Sequence, residues 1–277
     1  MPELPEVETV RRGLTNLVKG AIIRKVEVPY PKVVTSDLTE FKSDLVGRTI
    51  EKIDRRGKYL LFRFSNNLTM VSHLRMEGQY SVEPEGAPLR KHTEVVFHLE
   101  DERQLFYNDT RRFGRMTLVK TGDELVTVSG LKDLGPEPTE EDLKLSYLKE
   151  IFNRSHRMVK TFLLDQSNIA GLGNIYCDEV LWMSKIHPET TTDKLSDRKL
   201  SELRKNIIAE INRATAHHGT TVHSFSNIFG ETGQFQNELQ VYGRAKLPCL
   251  RCGTTLEKIK VGQRGTTFCP KCQVKKV

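Results

Sequence analysis

The sequence predicts an α+β multidomain protein: a β-sandwich opened by an N-terminal helix, then a helical domain, then a C-terminal four-cysteine zinc finger. Three observations carry this. Seven short apolar segments separated by turn residues lie between positions 22 and 120, the spacing of a sandwich. After Gly135-Pro136-Glu137-Pro138 the apolar period becomes helical. Two Cys-x-x-Cys pairs then stand near the C-terminus, sixteen residues apart. A chain of 277 residues suits more than one domain. The predicted boundaries are 1–134, 135–238 and 239–277.

Taken in order, Val7, Val10, Leu14, Leu17 and Val18 recur at helical spacing over 6–19, with Gly20 as the C-terminal stop. Strands are predicted at 22–28, 49–54, 59–65, 68–74, 93–99, 104–107 and 115–120. Ser65-Asn66-Asn67 and Glu100-Asp101-Glu102 are turn signals between them. Thr139 is a candidate cap for a helix through Leu143, Tyr147, Leu148 and Ile151. Further helices are predicted at 157–166, 174–185 and 197–216. The stretch 225–238 is polar and aperiodic, the mark of a functional loop.

Cys249, Cys252, Cys269 and Cys272 can set four thiolates around one zinc ion. Four sulfur ligands leave no open position, so the zinc is expected to be structural. It would also supply folding energy to a segment too small for its own core. A hairpin is predicted between the knuckles, at 256–260 and 267–269. Cys177 is left over and reads as a buried thiol. From Arg244 onward there are nine Lys and Arg against the single acid Glu257, a net +8, whereas the whole chain carries +7. A basic tail on a near-neutral body points to a polyanion such as a phosphodiester backbone. No apolar run reaches transmembrane length.

The start Met1-Pro2-Glu3-Leu4-Pro5-Glu6 carries chemistry of its own. Removal of Met1 would make Pro2 a free secondary amine, able to attack an aldehyde-level carbon and form an iminium ion. An α-amine titrates near pH 8, so part of it is unprotonated at neutrality. Glu3 and Glu6 add carboxylates beside it, the layout of covalent catalysis. The plain alternative is a helix start, with Pro5 in the first turn and glutamates at the positive dipole end. Lys58 opens an apolar strand, where lysine is usually a solvated edge charge. The segments 73–78 and 110–115 set Met76 and Phe113 among charges, a pattern suited to insertion into a base stack. Gly171-Leu172-Gly173-Asn174 precedes a helix and allows close approach to a phosphate, with Lys160 on the preceding helix.

The opening Met-Pro-Glu-Leu-Pro-Glu-Val-Glu-Thr, the segment 171–176, the run Asn237-Glu238-Leu239-Gln240-Val241-Tyr242-Gly243 and the four cysteines together resemble the formamidopyrimidine-DNA glycosylases along essentially the whole chain. The resemblance implies a helix-two-turn-helix fold for the helical domain. It also implies double-stranded DNA, containing oxidised purines or abasic sites, bound between the first two domains. It makes Pro2 the Schiff-base nucleophile at the sugar C1′ and Glu3 the adjacent acid/base. Lys58 becomes a proton donor in β-elimination, and Arg264 the finger residue of phosphate binding and δ-elimination. His92, Arg111, Lys160 and Asn174 match DNA-contacting positions. Met76, Arg111 and Phe113 match residues that fill the void of the extruded base. Glu6 and Glu77 are candidate base-site carboxylates, and 225–238 is the candidate lid. A monomer in the bacterial cytoplasm, acting on nucleoid DNA, is expected.

Other readings predict different features. The endonuclease VIII branch, which excises oxidised pyrimidines, begins Pro-Glu-Gly-Pro, whereas Leu4 stands here. A non-enzymatic zinc-finger DNA-binding protein explains the tail and leaves Pro2 and Glu3 without purpose. A Pro2 tautomerase predicts a far shorter chain without a finger.

Overall fold

Eight strands between Ile23 and Lys120 form two antiparallel sheets in the computed structural model, which describes residues 1–220 and 234–276. The first sheet has the order β1 (Ile23–Glu27), β6 (Thr93–Leu99), β7 (Arg103–Asn108), β5 (Gln79–Pro84). The second has the order β2 (Ile50–Arg56), β3 (Tyr59–Phe64), β4 (Leu68–His73), β8 (Arg115–Lys120). An aromatic chain stitches the sheets together: Phe62 of β3 lies 5.4 Å from Tyr80 of β5, and Tyr80 lies 5.0 Å from Tyr107 of β7, ring to ring. All three rings are buried in the common core. Tilted pairs at such distances add to the burial of their area.

Helix α1 (Leu4–Val18) places Val7, Val10, Leu14 and Val18 in that core. Glu3 is its N-cap, with a reciprocal capping box to Glu6. Helix α2 (Leu38–Leu45) packs on β1 and sets Phe41 6.3 Å from Phe97. Two short helices, α3 (Glu124–Thr127) and α4 (Ser129–Lys132), close its continuous part near Asp133, and His218–Thr220 belong to the same unit. Sequence periodicity misses α2 because only Phe41 and Leu45 are buried on it. Its start is nevertheless marked by Asp37, whose side chain accepts from Glu40 N at 2.9 Å. It misses β5 because the strand is half polar; Tyr80 is its one buried side chain, with the partly buried Val82 packed against the same core.

The second unit runs from Leu134 to His217 and resumes at Phe235. It contains α5 (Leu145–Asn153), α6 (Val159–Leu164), α7 (Asn174–Met183), α8 (Asp197–Ala216) and the hairpin β9 (Glu257–Val261) and β10 (Arg264–Phe268). Helix α5 starts later than its sequence suggests. Thr139 caps only a preceding turn, accepting from Asp142 N at 3.0 Å. Helix α8 spans the predicted residues, capped by Ser196. The four-cysteine finger is not a separate compact unit; it packs with the helices. Residues 225–233 of the expected loop lie outside the described residues. Phe235–Glu238 instead forms a turn whose buried Phe235 ring packs near Tyr176 and His217, under Arg213.

Two adjacent acids of α7 join finger to helices. Glu179, 0% exposed, accepts from Gln240 N at 2.8 Å, Val241 N at 2.9 Å and Tyr242 N at 2.8 Å. Asp178, 1% exposed, pairs with the Lys160 ammonium and accepts from Thr267 N of β10 at 3.0 Å. A buried amide left without an acceptor costs about 1–3 kcal/mol. Glu179→Ala is therefore expected to destabilise the second unit by roughly 3 kcal/mol and to speed amide exchange at 240–242. Denaturant titration with hydrogen-exchange mass spectrometry checks this; unchanged exchange there would remove Glu179 from the joint.

Candidate active site

The chain start is enclosed by charge. Pro2 is buried, Glu3 is 3% exposed and Glu6 2%. Glu6 is gripped from two directions: its Oε2 accepts from Glu3 N at 2.9 Å, and its Oε1 from Thr220 N at 2.7 Å and Thr220 Oγ1 at 3.1 Å. The N-terminal amine, here on Met1, is held below its usual value chiefly by burial. Glu3, Glu6 and Glu77 oppose that shift, and the Lys58 charge adds to it. All four therefore lie within electrostatic reach of one amine. Lys58 is not the solvated edge charge that its position in sequence suggests: it is 5% exposed, in the turn between β2 and β3. His73, at the end of β4, is pushed down to about 3 by burial and by the Arg75 and Lys58 charges.

Two loops meet over one hydroxyl beside this cluster. Tyr107 Oη has no hydrogen-bond partner among the described residues. A Cβ at Gly78 would meet it at 2.2 Å, and one at Gly114 at 1.8 Å. Both positions thus require glycine. The close approach brings the Met76 loop and the Phe113 loop together, and the Thr110 hydroxyl donates to Glu77 between them. Arg111 and Phe113 are exposed, Phe113 at 46%, with the Arg111 guanidinium 4.9 Å from the Phe113 ring centroid. His92 precedes β6, and its carbonyl accepts from Asp109 N at 3.0 Å.

In the second unit Arg264 is exposed at the start of β10. A tight turn through Gly262 and Gln263, both at positive φ, presents it. Asn174, the first residue of α7, donates to Gly265 O at 3.0 Å, so the helix start and the finger hairpin form one surface. Lys160 departs from expectation. It is 0% exposed, and its ammonium is taken up by Asp178, with Gly265 O at 3.4 Å. Here it holds the hairpin in place instead of facing solvent. The four cysteine sulfurs lie within 4.8 Å of one another. That clustering fits tetrahedral ligation at about 2.3 Å per Zn–S bond. Trp182 Nε1 donates to Cys249 Sγ at 3.4 Å, and Cys272 N to Cys269 Sγ at 3.3 Å, orienting the sulfurs.

Comparison with known proteins bears on all three regions. Residues 1–116 match the formamidopyrimidine-DNA glycosylase N-terminal domain, residues 134–226 the H2TH domain of the same enzymes, and residues 246–274 the zinc finger found in FPG and IleRS. The chain is 63% identical over 270 residues to the formamidopyrimidine-DNA glycosylase of Lactiplantibacillus plantarum, covering 98% of each. It belongs to the formamidopyrimidine-DNA glycosylase family. Two solved Lactococcus lactis relatives, each 43% identical, cover 99% of this chain and 100% of their own. One is a point mutant of FPG in complex with Fapy-dG-containing DNA, at TM-score 0.94; the other is Fpg with abasic-site DNA, at 0.93.

The chain is thus a DNA glycosylase of base excision repair, with Cys249, Cys252, Cys269 and Cys272 as the cluster for a structural zinc ion. Among the described residues no helix is long and apolar enough to cross a membrane. Cys177 is a buried thiol on α7. Sequence reasoning passes over Asp109, Asp178 and Glu179. The last two stand out only as an acid pair in the apolar run Ile175–Trp182. Asp109 stands out only as an Asx residue opening a turn.

Removing one thiolate should test the metal's role. Cys252→Ser is expected to lose zinc, release the finger and weaken DNA binding, while the sandwich stays folded. Metal analysis with circular dichroism and a binding titration reads this. Normal DNA affinity in a zinc-free variant would rule out a structural role.

Proposed function

We propose that this glycosylase excises oxidised purines, 8-oxoguanine and ring-opened formamidopyrimidines, from double-stranded DNA and then cleaves the strand by β,δ-elimination. The reading rests on one observation above all: a chain-terminal amine within reach of Glu3, Glu6, Lys58 and Glu77. After loss of Met1 the Pro2 nitrogen attacks C1′. The glycosidic bond breaks, the electron pair leaves with the base, and Glu3 passes a proton to the ring oxygen as the sugar opens. The resulting iminium acidifies the C2′–H bond. Loss of that proton expels the 3′ phosphate, and a second elimination expels the 5′ phosphate. Lys58 is read as a proton donor in the β-elimination, and Arg264 as the finger residue that holds phosphate. Glu6 and Glu77 border the base site. A glycosylase reaches its bond only after the base leaves the stack. Met76, Arg111 and Phe113 are read as filling the space it vacates, with His92 and Asn174 at the DNA backbone. Lys160, given its burial, would act on DNA through the hairpin.

The working segments in this reading are 1–134, 135–238 and 239–277, in a monomer of the bacterial cytoplasm. The L. lactis complexes with Fapy-dG and abasic-site DNA support the substrate class.

Borohydride is expected to trap a covalent adduct with DNA carrying 8-oxoguanine opposite cytosine, and Pro2→Gly should trap far less. Wild-type yield in that variant would exclude the N-terminal nitrogen as nucleophile. Burial lowers the Met1 amine from its ordinary value of 8.0. Pro2 is itself buried, so its own amine, once Met1 is removed, is expected to be lowered in the same direction and to stay unprotonated to lower pH. Trapping on preformed abasic DNA should accordingly be half-maximal below pH 8.0. A midpoint above that value would contradict an amine tuned by burial.

The two DNA roles separate by salt. The slope of log affinity against log salt falls by roughly 0.9 for each phosphate that the protein no longer neutralises. Arg264→Ala should flatten that slope on damaged and undamaged duplex alike. Phe113→Ala should leave it unchanged and cost about 1–3 kcal/mol on abasic DNA only. Titrations at several salt concentrations decide both. An unchanged slope for Arg264→Ala would take that residue off the backbone, and an equal loss on intact DNA would make Phe113 a plain anchor.

A further inference from the structure

Asp109 follows β7 and is 0% exposed. Its carboxylate accepts three backbone amides of one turn: Arg111 N at 2.9 Å on Oδ1, and Phe113 N at 3.0 Å and Gly114 N at 2.8 Å on Oδ2. The turn's own backbone supplies one bond, Arg112 N to Asp109 O at 3.3 Å. Arg112 sits at φ 58°, a left-handed conformation costly for a side chain of that size. An ordinary Asx turn needs one such side-chain bond. Here three amides converge, and the segment they fix carries a large exposed aromatic.

The surroundings add to the constraint. Glu94, 1% exposed, has no hydrogen-bond partner for either carboxyl oxygen among the described residues. Burial and the Asp109 carboxylate hold it up at about 7, against the charges of Arg112 and Arg115. Arg112 also lies over the Tyr30 ring at 4.5 Å, and Gly114 presses on Tyr107. The side chains of residues 110–113 are exposed, while Asp109 holds the backbone of the turn from within.

We propose that Asp109 is a positioning residue for damage recognition: its carboxylate freezes the 110–114 turn so that Phe113 enters the DNA stack already in its bound geometry. The proposal deepens the reading of Phe113 as the void-filling side chain and rests on it. A loop ordered before binding avoids the ordering cost at the moment of association. A disordered loop would pay that cost only on DNA that accepts the wedge. Loss of the latch therefore weakens binding to DNA with a vacated base and spares intact duplex.

The test uses the full-length, zinc-loaded protein and duplexes with and without a tetrahydrofuran abasic analogue. Asp109→Asn is nearly isosteric but turns a donor toward at least one of the three amides. It is expected to weaken abasic-analogue binding roughly tenfold, equivalent to about 1.4 kcal/mol. Affinity for intact duplex and the salt slope should stay at wild-type values. Hydrogen exchange should accelerate at 111–114 and stay slow in β6 and β7. The double variant Asp109→Asn/Phe113→Ala should lose clearly less than the product of the two single losses, because the latch acts in large part through the wedge that Phe113→Ala removes. Losses that multiply, equal losses on intact duplex, or wild-type affinity in Asp109→Asn would overturn the proposal. If Phe113→Ala itself shows no selective loss, the wedge reading fails and the proposal with it. If Phe113→Ala is selective and Asp109→Asn is not, only the latch fails. Should Asp109→Asn not fold, Asp109→Ser, which keeps one acceptor, is read by the same scheme.

Discussion

The functional segments of this protein depend on one recurring interaction: a buried carboxylate that accepts backbone amides from a loop it must hold. Glu6 takes Thr220 N, Asp109 takes three amides of the Phe113 turn, Asp178 takes Thr267 N of the finger hairpin and Glu179 takes three amides at 240–242. A buried carboxylate is costly unless its oxygens are satisfied. Backbone amides satisfy it at fixed positions, and charge-assisted bonds are about twice as strong as neutral ones. In the Phe113 turn this sets the backbone from beneath and leaves Arg111, Arg112 and Phe113 exposed; at 240–242 it works beside the packing of Val241.

That arrangement suits a protein that grips a polyanion. Arginine and aromatic side chains must stay exposed to meet DNA, so they cannot also supply the packing that orders their own loops. The carboxylates do so from beneath. Lys160 follows the same logic in reverse. Its ammonium neutralises Asp178 in the interior while that carboxylate holds β10, and Gly265 links the pair to Asn174. The exposed Arg264 thereby sits on a hairpin tied to helix α7 and to the metal knuckles together. Zinc alone would fix the finger's shape. The acid pair of α7 fixes its place.

Much of this was legible in the sequence, and the exceptions share a cause. Helix α8 and seven of the eight sandwich strands stand where the sequence puts them: each of those strands buries two or more apolar side chains, and the helix buries six. The knuckles are local in sequence and so are their ligands. Strand β5 and helix α2 escape because each buries only one or two large side chains. Asp109, Asp178 and Glu179 escape for a different reason. What marks them is burial together with amides close by in one case and far along the chain in the others, and neither leaves a periodic trace. Lys160 shows the converse error: a lysine reads as a surface charge until its buried partner, eighteen positions away, is known.

The run Asn237–Gly243 carries the family resemblance without a physical reason in sequence. The structure supplies one. Its middle is the strip of backbone that Glu179 binds, and Val241 packs with Trp182, Cys249, Leu256 and Cys269 in one small core. A carboxylate that bonds only to main chain places no demand on side-chain identity at 240–242. The constraint on Val241 must therefore come from packing against the metal knuckles, and that on Gly243 from its φ of 75°. The motif is then two requirements laid side by side, a core contact and a left-handed turn. The acceptor for its middle amides is written elsewhere in the chain, in Glu179.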